Sequence, residues 1–379
     1  MVADGNRRGY RHLLDAFWDE ARGFGLMLPT VEPVSAPSFC NARPKITSDL
    51  LRRMLHELTQ SSSAALGSCQ RWLGRRVFAV DGTKINLQRS PDLARKFGVP
   101  VSGYCPQVLV SVLLDVCAKA PVDLEISPFA SSEREQLLSM LPSLAEGEVL
   151  VLDRGYPSHE VLHALTTRKI DFLIRVPSSH TFAAIDELRQ SAGDDYLFHI
   201  DPPSGSPHEW SRLTLRAIRL KTPNGSTSFF LTTLRRTQVS RSQLGQLYHL
   251  RWEAEEFFKL MKGDYIGQGQ FRSKSPTGVE QEITALVLFL AIARVLMITA
   301  AQSAGADYNS LSQKSAVLGL ASYVSRLLLD TKSERRLNHV ENLLRRILTT
   351  REKPRPGRSA PRVSYRPRQR WGAGGRCGG

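Results

Sequence analysis

The feature that most constrains the fold is the stretch from Gln107 to Ala118, QVLVSVLLDVCA, which is almost continuously apolar and rich in β-branched residues. A strand with one face in water alternates apolar and polar side chains, whereas this pattern is typical of a strand buried on both faces. Such a strand needs helices on both sides of its sheet. The chain from Arg76 to residue 177 supplies them, because its patterns follow the order β-β-β-α-β-α-β. The sequence therefore predicts an α/β fold, a mixed sheet flanked by helices.

Changes in composition divide the rest of the chain. Apolar spacing near 3.6, broken by prolines, predicts helices before residue 75, and helical patterns resume at Ser240. From about residue 178 to 240, short alternating runs predict extra antiparallel strands. From about Arg351, nine Lys and Arg face one Glu among Pro and Gly, which predicts a disordered tail that either binds polyanions or is merely solvated. The predicted regions are a helical N-terminal region and candidate DNA-binding region (1–75), the first part of a catalytic core (76–177), an inserted small β region (178–240), the second part of the core (241–302), C-terminal helices (303–350) and a basic tail (351–379).

The charge balance points to an acidic partner. The chain has 51 Lys and Arg against 36 Asp and Glu, a net charge of +15 with a pI near 9.9. Nucleic acid is the first candidate, and a generically basic protein is the alternative. In the N-terminal region, five arginines would either touch DNA or form a solvated face: Arg52, Arg53, Arg71, Arg75 and Arg76.

Cysteine usage and hydropathy exclude several classes. The five cysteines are scattered singly without zinc-site spacing, and no secretory signal opens the chain, so we expect a reducing, cytoplasmic compartment. The segment Ile283–Ala301 resembles a membrane span. Arg294 interrupts it and leaves too short an apolar run before it, which favours a buried helix and predicts no membrane association.

Two aspartates stand where apolar strands end. Asp81 follows VFAV and Asp153 follows VLVL. Sites in open α/β sheets lie at strand ends, so the two carboxylates can converge if their strands are neighbours. Converging carboxylates repel unless a cation lies between them, and oxygen ligands select Mg²⁺ or Mn²⁺, metals that suit phosphoryl transfer. The alternative is that both are ordinary Asx-turn residues.

The segment Tyr248–Lys262, YHLRWEAEEFFKLMK, combines charges with aromatic residues. At about 100° per residue, Tyr248, Arg251, Glu255 and Lys262 fall within roughly 60° of one another on a helix, whereas the other two glutamates point away. Glu255 would complete a metal site while the cations bind phosphate. Alternatively, Arg251 and Glu255 simply form an i,i+4 ion pair, which contributes a few tenths of a kcal/mol. The three remaining large aromatics are expected to anchor the helix on the sheet: Trp252, Phe257 and Phe258.

These motifs carry a family resemblance. Asp81 in VDGT, Asp153 in LDRGY and the spacing Y-x2-R-x3-E-x6-K in Tyr248–Lys262 resemble the DDE transposases of the bacterial insertion-sequence IS-four family, whose YREK signature is matched at all four positions. The resemblance extends from about Val77 to Ala301. It implies a ribonuclease H-like fold with an inserted β region, and an intact acidic triad.

The resemblance implies roles for each motif residue. Asp81, Asp153 and Glu255 match the catalytic triad that binds two Mg²⁺ or Mn²⁺ ions. Tyr248, Arg251 and Lys262 match positions that contact transposon-end DNA, chiefly its phosphates. Such enzymes free a 3′-OH at the element end, in several members through a DNA hairpin, and that 3′-OH attacks target DNA. The implied partners are double-stranded DNA with inverted repeats, target DNA and a second subunit in a synaptic complex. The alternatives are another ribonuclease H-like nuclease or resolvase, and a non-catalytic DNA-binding protein derived from such an element.

Overall fold

The structure is a computed structural model, and it describes residues 8–65, 71–177, 182–207, 209–221, 227–266 and 271–351. The basic tail predicted from residue 351 lies outside these residues from 352 onward. Parts of the predicted inserted β region, residues 178–181, 208 and 222–226, also lie outside them.

Within the described residues, eight strands form one mixed sheet in the order β3-β2-β1-β4-β5-β8-β7-β6. The first three are antiparallel, and β4 and β5 run parallel to β1. β8 joins β5 in antiparallel pairing, and β7 and β6 continue the same sheet. The predicted α/β fold, a mixed sheet flanked by helices, is confirmed. The strands are β1 (Val77–Asn86), β2 (Gln107–Asp115), β3 (Ala120–Pro128), β4 (Val149–Leu152), β5 (Asp171–Val176), β6 (Asp195–Ile200), β7 (Leu213–Lys221) and β8 (Thr227–Thr232).

Helices cover the sheet and form both ends of the described chain, as the apolar spacing predicted. They are α1 (Tyr10–Gly23), α2 (Ala36–Ala42), α3 (Ser48–Ala65), α4 (Pro91–Phe97), α5 (Glu133–Met140), α6 (His159–Thr167), α7 (Ala183–Gln190), α8 (Arg241–Leu250), α9 (Trp252–Leu260), α10 (Pro276–Ala304), α11 (Gln313–Leu329) and α12 (Ser333–Thr349). A π-helical segment, Met261–Ile266, extends α9.

Two apolar cores lie on opposite faces of the sheet, because successive side chains of a strand point to opposite faces. In β1, Phe78 and Val80 pack in the core that contains α5 and α6. Val77 and Ala79 pack in the other core, with α9 and α10. All of β2 beyond Gln107 is buried, as its uninterrupted apolar sequence predicted. The sheet is thus a central layer between two sets of helices. Alternate side chains along β1 pack against one set or the other.

The segment that resembles a membrane span belongs to α10. By length and composition α10 is the one helix in the described chain that could cross a membrane, yet 72% of its most apolar window is buried inside the protein. Arg294 is 1% exposed and its guanidinium donates a hydrogen bond to Gln313. The helix fills the core, as the interrupting arginine predicted.

Three N-terminal arginines pair with acidic residues of the catalytic core. Arg52 of α3 donates from Nε to Asp123 at 2.7 Å. Arg75 pairs with Asp171 and Arg76 with Asp115, at 2.5 and 3.0 Å. Arg52 and Arg75 therefore tie the N-terminal region to the sheet, and Arg76 pairs within the region that contains the sheet. These pairings differ from both the DNA contact and the solvated face considered from the sequence.

Candidate active site

The two aspartates lie on adjacent strands, on one face of the sheet. Asp153 directly follows β4, as predicted, but the strand end predicted at Asp81 is wrong, because β1 continues to Asn86. Ala79 of β1 is paired with Val151 of β4 in parallel register, so Asp81 and Asp153 each lie two residues further on. Because alternate residues along a strand point to the same face, both aspartates lie on the face of Ala79 and Val151, on which α9 packs. The neighbouring strands therefore bring the two carboxylates to one cleft, as predicted for adjacent strands.

Each aspartate also binds the backbone that follows it. The Gly82 amide donates to Asp81 Oδ1 at 3.1 Å, and the Gly155 amide donates to Asp153 Oδ1 at 2.7 Å. Asp153 thus makes the bond of an Asx turn, to the amide two residues further on, whereas Asp81 bonds to the next residue within β1. β1 runs through Gly82 without a turn and continues to Asn86, so its second half extends beyond the site.

The glutamate segment is helical throughout, but it is not one uniform α-helix. α8 ends at Leu250 and α9 begins at Trp252. At the junction the Arg251 amide donates to the Tyr248 carbonyl and the Ala254 amide to the Arg251 carbonyl, both three-residue steps that tighten the turn. After Leu260 the backbone widens into the π-helical segment. The uniform 100° spacing assumed from the sequence is therefore broken on both sides of Glu255.

Despite these irregularities, all six predicted site residues line one cleft of about 860 Å³. They come from three separate parts of the chain: β1, the end of β4, and the segment from α8 to the π-helix. The cleft is lined by Asp81, Gly82, Thr83, Asp153, Arg154, Arg175, Tyr248, Arg251, Trp252, Glu255, Phe258, Lys259 and Lys262.

Two cations of the cleft were missed from the sequence. Arg154 directly follows Asp153, and Arg175 lies on β5, the strand next to β4. The available signal for Arg175 was a single charge within the apolar strand DFLIRV. Both add positive charge to the cleft that holds the aspartates.

The acidic groups of the cleft repel one another. Burial raises the pKa of Asp81 from an ordinary 3.8 to about 6; the charge of Arg251 opposes this rise, and the carboxylates of Asp153 and Glu133 add to it. The raised pKa thus comes first from burial, which disfavours the charged carboxylate, and then from repulsion by the neighbouring carboxylates. A bound cation would relieve that repulsion.

Arg251 connects the acidic and the basic parts of the cleft. Its Nη2 donates to Glu255 Oε1 at 2.6 Å, and both side chains are mostly buried. Its guanidinium also lies 5.7 Å from the centre of the Tyr248 ring, which packs edge-on against Phe230. The i,i+4 ion pair considered from the sequence therefore exists. Among the described residues, the buried Nε of Arg251 has no hydrogen-bond partner.

The other two glutamates of the segment are engaged elsewhere. Glu253 pairs with Lys119, on the turn between β2 and β3, at 3.0 Å. Glu256 accepts from Trp252 Nε1 at 2.7 Å and from Lys259. Only Glu255 of the three lines the cleft, which agrees with the phase assigned to it.

The expected aromatic anchor was right for two residues and wrong for the third. Phe257 and Phe258 are 2% and 7% exposed and pack in the core below the helix. Trp252 is 40% exposed and lines the cleft, with the Lys259 ammonium 4.6 Å from its ring centre. The tightened turn at Arg251 lies immediately before Trp252, so helical phase alone could not place this ring.

Comparison with known proteins decides the family. A family model described as the transposase DDE domain matches residues 72–292, more than half of the chain. The chain belongs to the DDE transposases. A curated relative, the transposase InsG for insertion sequence element IS4 of Escherichia coli K12, is 24% identical over 292 residues. That match supports membership in the IS4 family, the group that the YREK spacing indicated. It covers 73% of this chain and 64% of InsG, so the chain spans less than two thirds of the relative's length.

A solved structure also resembles the fold at low similarity. The structure of the piggyBac transposase synaptic complex with hairpin DNA aligns over 71% of this chain and 57% of its own, with 11% identity and a TM-score of 0.44. Similarity at this level carries no argument about function, which has to come from the family and from the cleft itself.

DDE transposases generally use divalent metal ions, so the fit of the cleft to such ions can be tested against its residues. The donors are all carboxylate oxygens, which suits Mg²⁺ and Mn²⁺, and the repulsion at Asp81 favours a cation. Geometrically the site is not a closed chelate: within the described ranges, no three His, Cys, Asp or Glu side chains are grouped closely enough to hold a metal. Glu255 is held by Arg251, so it would have to turn away from that partner to join the aspartates.

Proposed function

We propose that this DDE transposase cleaves DNA at the ends of its insertion sequence and joins the freed 3′-OH to target DNA. The observation that carries the proposal is the convergence of all six motif residues on one cleft from three distant parts of the chain. Family membership supports the same reaction class.

In this proposal Asp81, Asp153 and Glu255 are the catalytic carboxylates and hold two divalent cations, Mg²⁺ or Mn²⁺. When bound, such ions activate the attacking oxygen and stabilise the leaving one. The middle of β1 and the end of β4 supply two carboxylates on a rigid sheet. Glu255 is supplied by a helix whose back is fixed by Glu253 and Lys119. The protein therefore holds three negatively charged groups in one cleft despite their mutual repulsion.

Tyr248, Arg251 and Lys262 are proposed to bind the phosphates of the DNA end. Arg251 lines the cleft and pairs with Glu255, so a phosphate and Glu255 would compete for one guanidinium. Lys262 lies at the other end of the glutamate segment, where partial desolvation lowers its pKa and the charge of Asp81 opposes that change. Phosphate binding would thus free Glu255 for the metal, coupling DNA binding to assembly of the carboxylate site.

The proposed partners are double-stranded DNA with the element's inverted repeats, target DNA and a second copy of the chain in a synaptic complex. The net charge of +15 supports binding to a polyanion. The proposed place of action is the bacterial cytoplasm, on the nucleoid.

The proposal is tested with the DNA that flanks the coding region. A labelled duplex carrying the flanking inverted repeats is incubated with the full chain in Mg²⁺, together with a circular target DNA. We expect a free 3′-OH at the element end and labelled product joined to the target, both abolished by EDTA. Cleavage without joining would instead support another ribonuclease H-like nuclease, and binding without cleavage a non-catalytic DNA-binding protein.

A further inference from the structure

The N-terminus of α5 contacts the turn that carries Asp153. Glu133, the first residue of α5, accepts a hydrogen bond from the Tyr156 hydroxyl at 3.3 Å, and Arg134 donates from Nε to the Gly155 carbonyl at 2.9 Å. The Tyr156 side chain is 1% exposed. The two contacts hold the Asp-Arg-Gly-Tyr turn from the side opposite α9.

The same glutamate also contacts the chain directly after Asp81. A methyl group built on Gly82 would lie 2.6 Å from Glu133 Cδ and 2.8 Å from its Oε1. The carboxyl of Glu133 therefore rests against the Gly82 backbone, in space that only glycine leaves open. One side chain thus bridges the positions that follow both aspartates, although these are more than 70 residues apart in the sequence.

The charge of Glu133 acts on the cleft as well. It is one of the carboxylates that oppose ionisation of Asp81, and it interacts electrostatically with Asp153. A glutamate at the first position of a helix is also stabilised by the helix dipole, and a purely structural role would end there. The contacts with Gly82 and Tyr156 are not required for that role.

We propose that Glu133 is a positioning residue for the metal-binding aspartates. It fixes Asp81 through Gly82 and Asp153 through Tyr156, so that both carboxylates face the same cations. This inference rests on the proposed function, because it needs a divalent-cation site in the cleft.

The experiment measures Mn²⁺ affinity of the full chain by electron paramagnetic resonance, without DNA, and cleavage at saturating Mn²⁺. Glu133→Ala removes both contacts, and Tyr156→Phe removes one hydroxyl. We expect each to weaken Mn²⁺ binding, the alanine about tenfold, as for other residues that orient metal ligands. Glu133→Gln keeps the length and can still accept from Tyr156, so its cleavage at saturating Mn²⁺ should stay near the wild-type rate. The matched control is Glu135→Ala, an exposed position on the same helix, with unchanged affinity.

The double variant Glu133→Ala with Tyr156→Phe should bind Mn²⁺ as tightly as Glu133→Ala alone, because both changes break the same hydrogen bond, from Tyr156 to Glu133. Wild-type Mn²⁺ affinity in Tyr156→Phe and Glu133→Ala would overturn the inference, as would a glutamine variant as impaired as the alanine. If the alanine variant fails to fold, Tyr156→Phe and Glu133→Gln decide the question by the same readouts. If the wild type binds Mn²⁺ and cleaves DNA and Glu133→Ala does both equally well, the positioning role is overturned and the proposed function stands. A wild-type chain that binds no Mn²⁺ overturns both.

Discussion

Replacing Asp81 with asparagine should stabilise the metal-free protein at neutral pH. The folded protein raises the pKa of this carboxyl from 3.8 to about 6 because burial and neighbouring carboxylates disfavour its charge. A difference of roughly two in pKa corresponds to about 3 kcal/mol at 1.4 kcal/mol for each tenfold change in the ionisation constant. Some screening by solvent remains in an open cleft, so we expect a gain of about 2–3 kcal/mol. Asparagine keeps an oxygen for the Gly82 amide.

The sign of the pH dependence follows from the raised pKa. Below pH 3.8 the carboxyl is protonated in both the folded and the unfolded chain, and Asp81 contributes no penalty. As the pH rises from 3.8 through about 6, the unfolded chain ionises first and the folded state loses stability relative to it. Above pH 6 the loss is complete. The advantage of Asp81→Asn should therefore be present at pH 7.5 and disappear near pH 4.

The assay is urea unfolding of the full chain in EDTA at pH 7.5 and at pH 4. Asp92→Asn is the control, because Asp92 is a well-exposed aspartate on α4 that pairs only at the surface with Arg95. Adding Mg²⁺ at pH 7.5 should stabilise the wild type more than Asp81→Asn and so narrow the gap between them. An asparagine variant that is no more stable than the wild type at pH 7.5, or equally stabilised at pH 4, would refute the electrostatic account of the cleft.

Three further outcomes are expected. Lys262→Ala should weaken DNA binding and reduce the slope of log affinity against log salt by about 0.9, measured by fluorescence anisotropy from low to moderate salt; an unchanged slope would argue against a phosphate contact. Arg175→Ala should weaken binding of the same duplex while leaving thermal stability near that of the wild type, and unaltered binding would remove Arg175 from the interface. Arg216→Ala should lower the free energy of unfolding in urea by about 3–5 kcal/mol, because Arg216 is 3% exposed and pairs with Asp195. The same change at the exposed Arg212 should have little effect, and equal losses in the two variants would contradict this reasoning.

The parts of the fold predicted from sequence are those set by local pattern. The apolar run of β2 required helices on both sides of the sheet. The apolar runs before Asp81 and Asp153 placed each carboxylate on a buried strand, correctly at the end of β4 for Asp153 but wrongly at a strand end for Asp81, because β1 continues to Asn86. Their convergence needed only that the two strands be neighbours, which the register of β1 with β4 provides. The predicted orientation of Glu255 toward the cleft was correct because the turn that contains it is α-helical.

The parts that escaped prediction depend on contacts between distant segments. Arg175 reaches the cleft because β5 pairs beside β4, and no local pattern specifies that neighbour. Glu133 reaches Gly82 only after α5 has packed across the sheet. Trp252 is exposed next to Arg251, where two backbone hydrogen bonds span three residues instead of four. Residue spacing alone cannot reveal this departure from regular helical geometry. The boundaries of the predicted regions stay predictions.

The central claim is that Glu255, with the two aspartates, forms the metal site at which DNA is cut. Its most direct test compares Glu255→Gln with Glu256→Gln, the adjacent glutamate outside the cleft. Each variant is given a labelled duplex carrying the element's own inverted repeat in Mg²⁺, and both binding and release of the free 3′-OH are measured. The account predicts that Glu256→Gln cleaves like the wild type and that Glu255→Gln binds the end but does not cleave it. Cleavage by Glu255→Gln at the wild-type rate would contradict it.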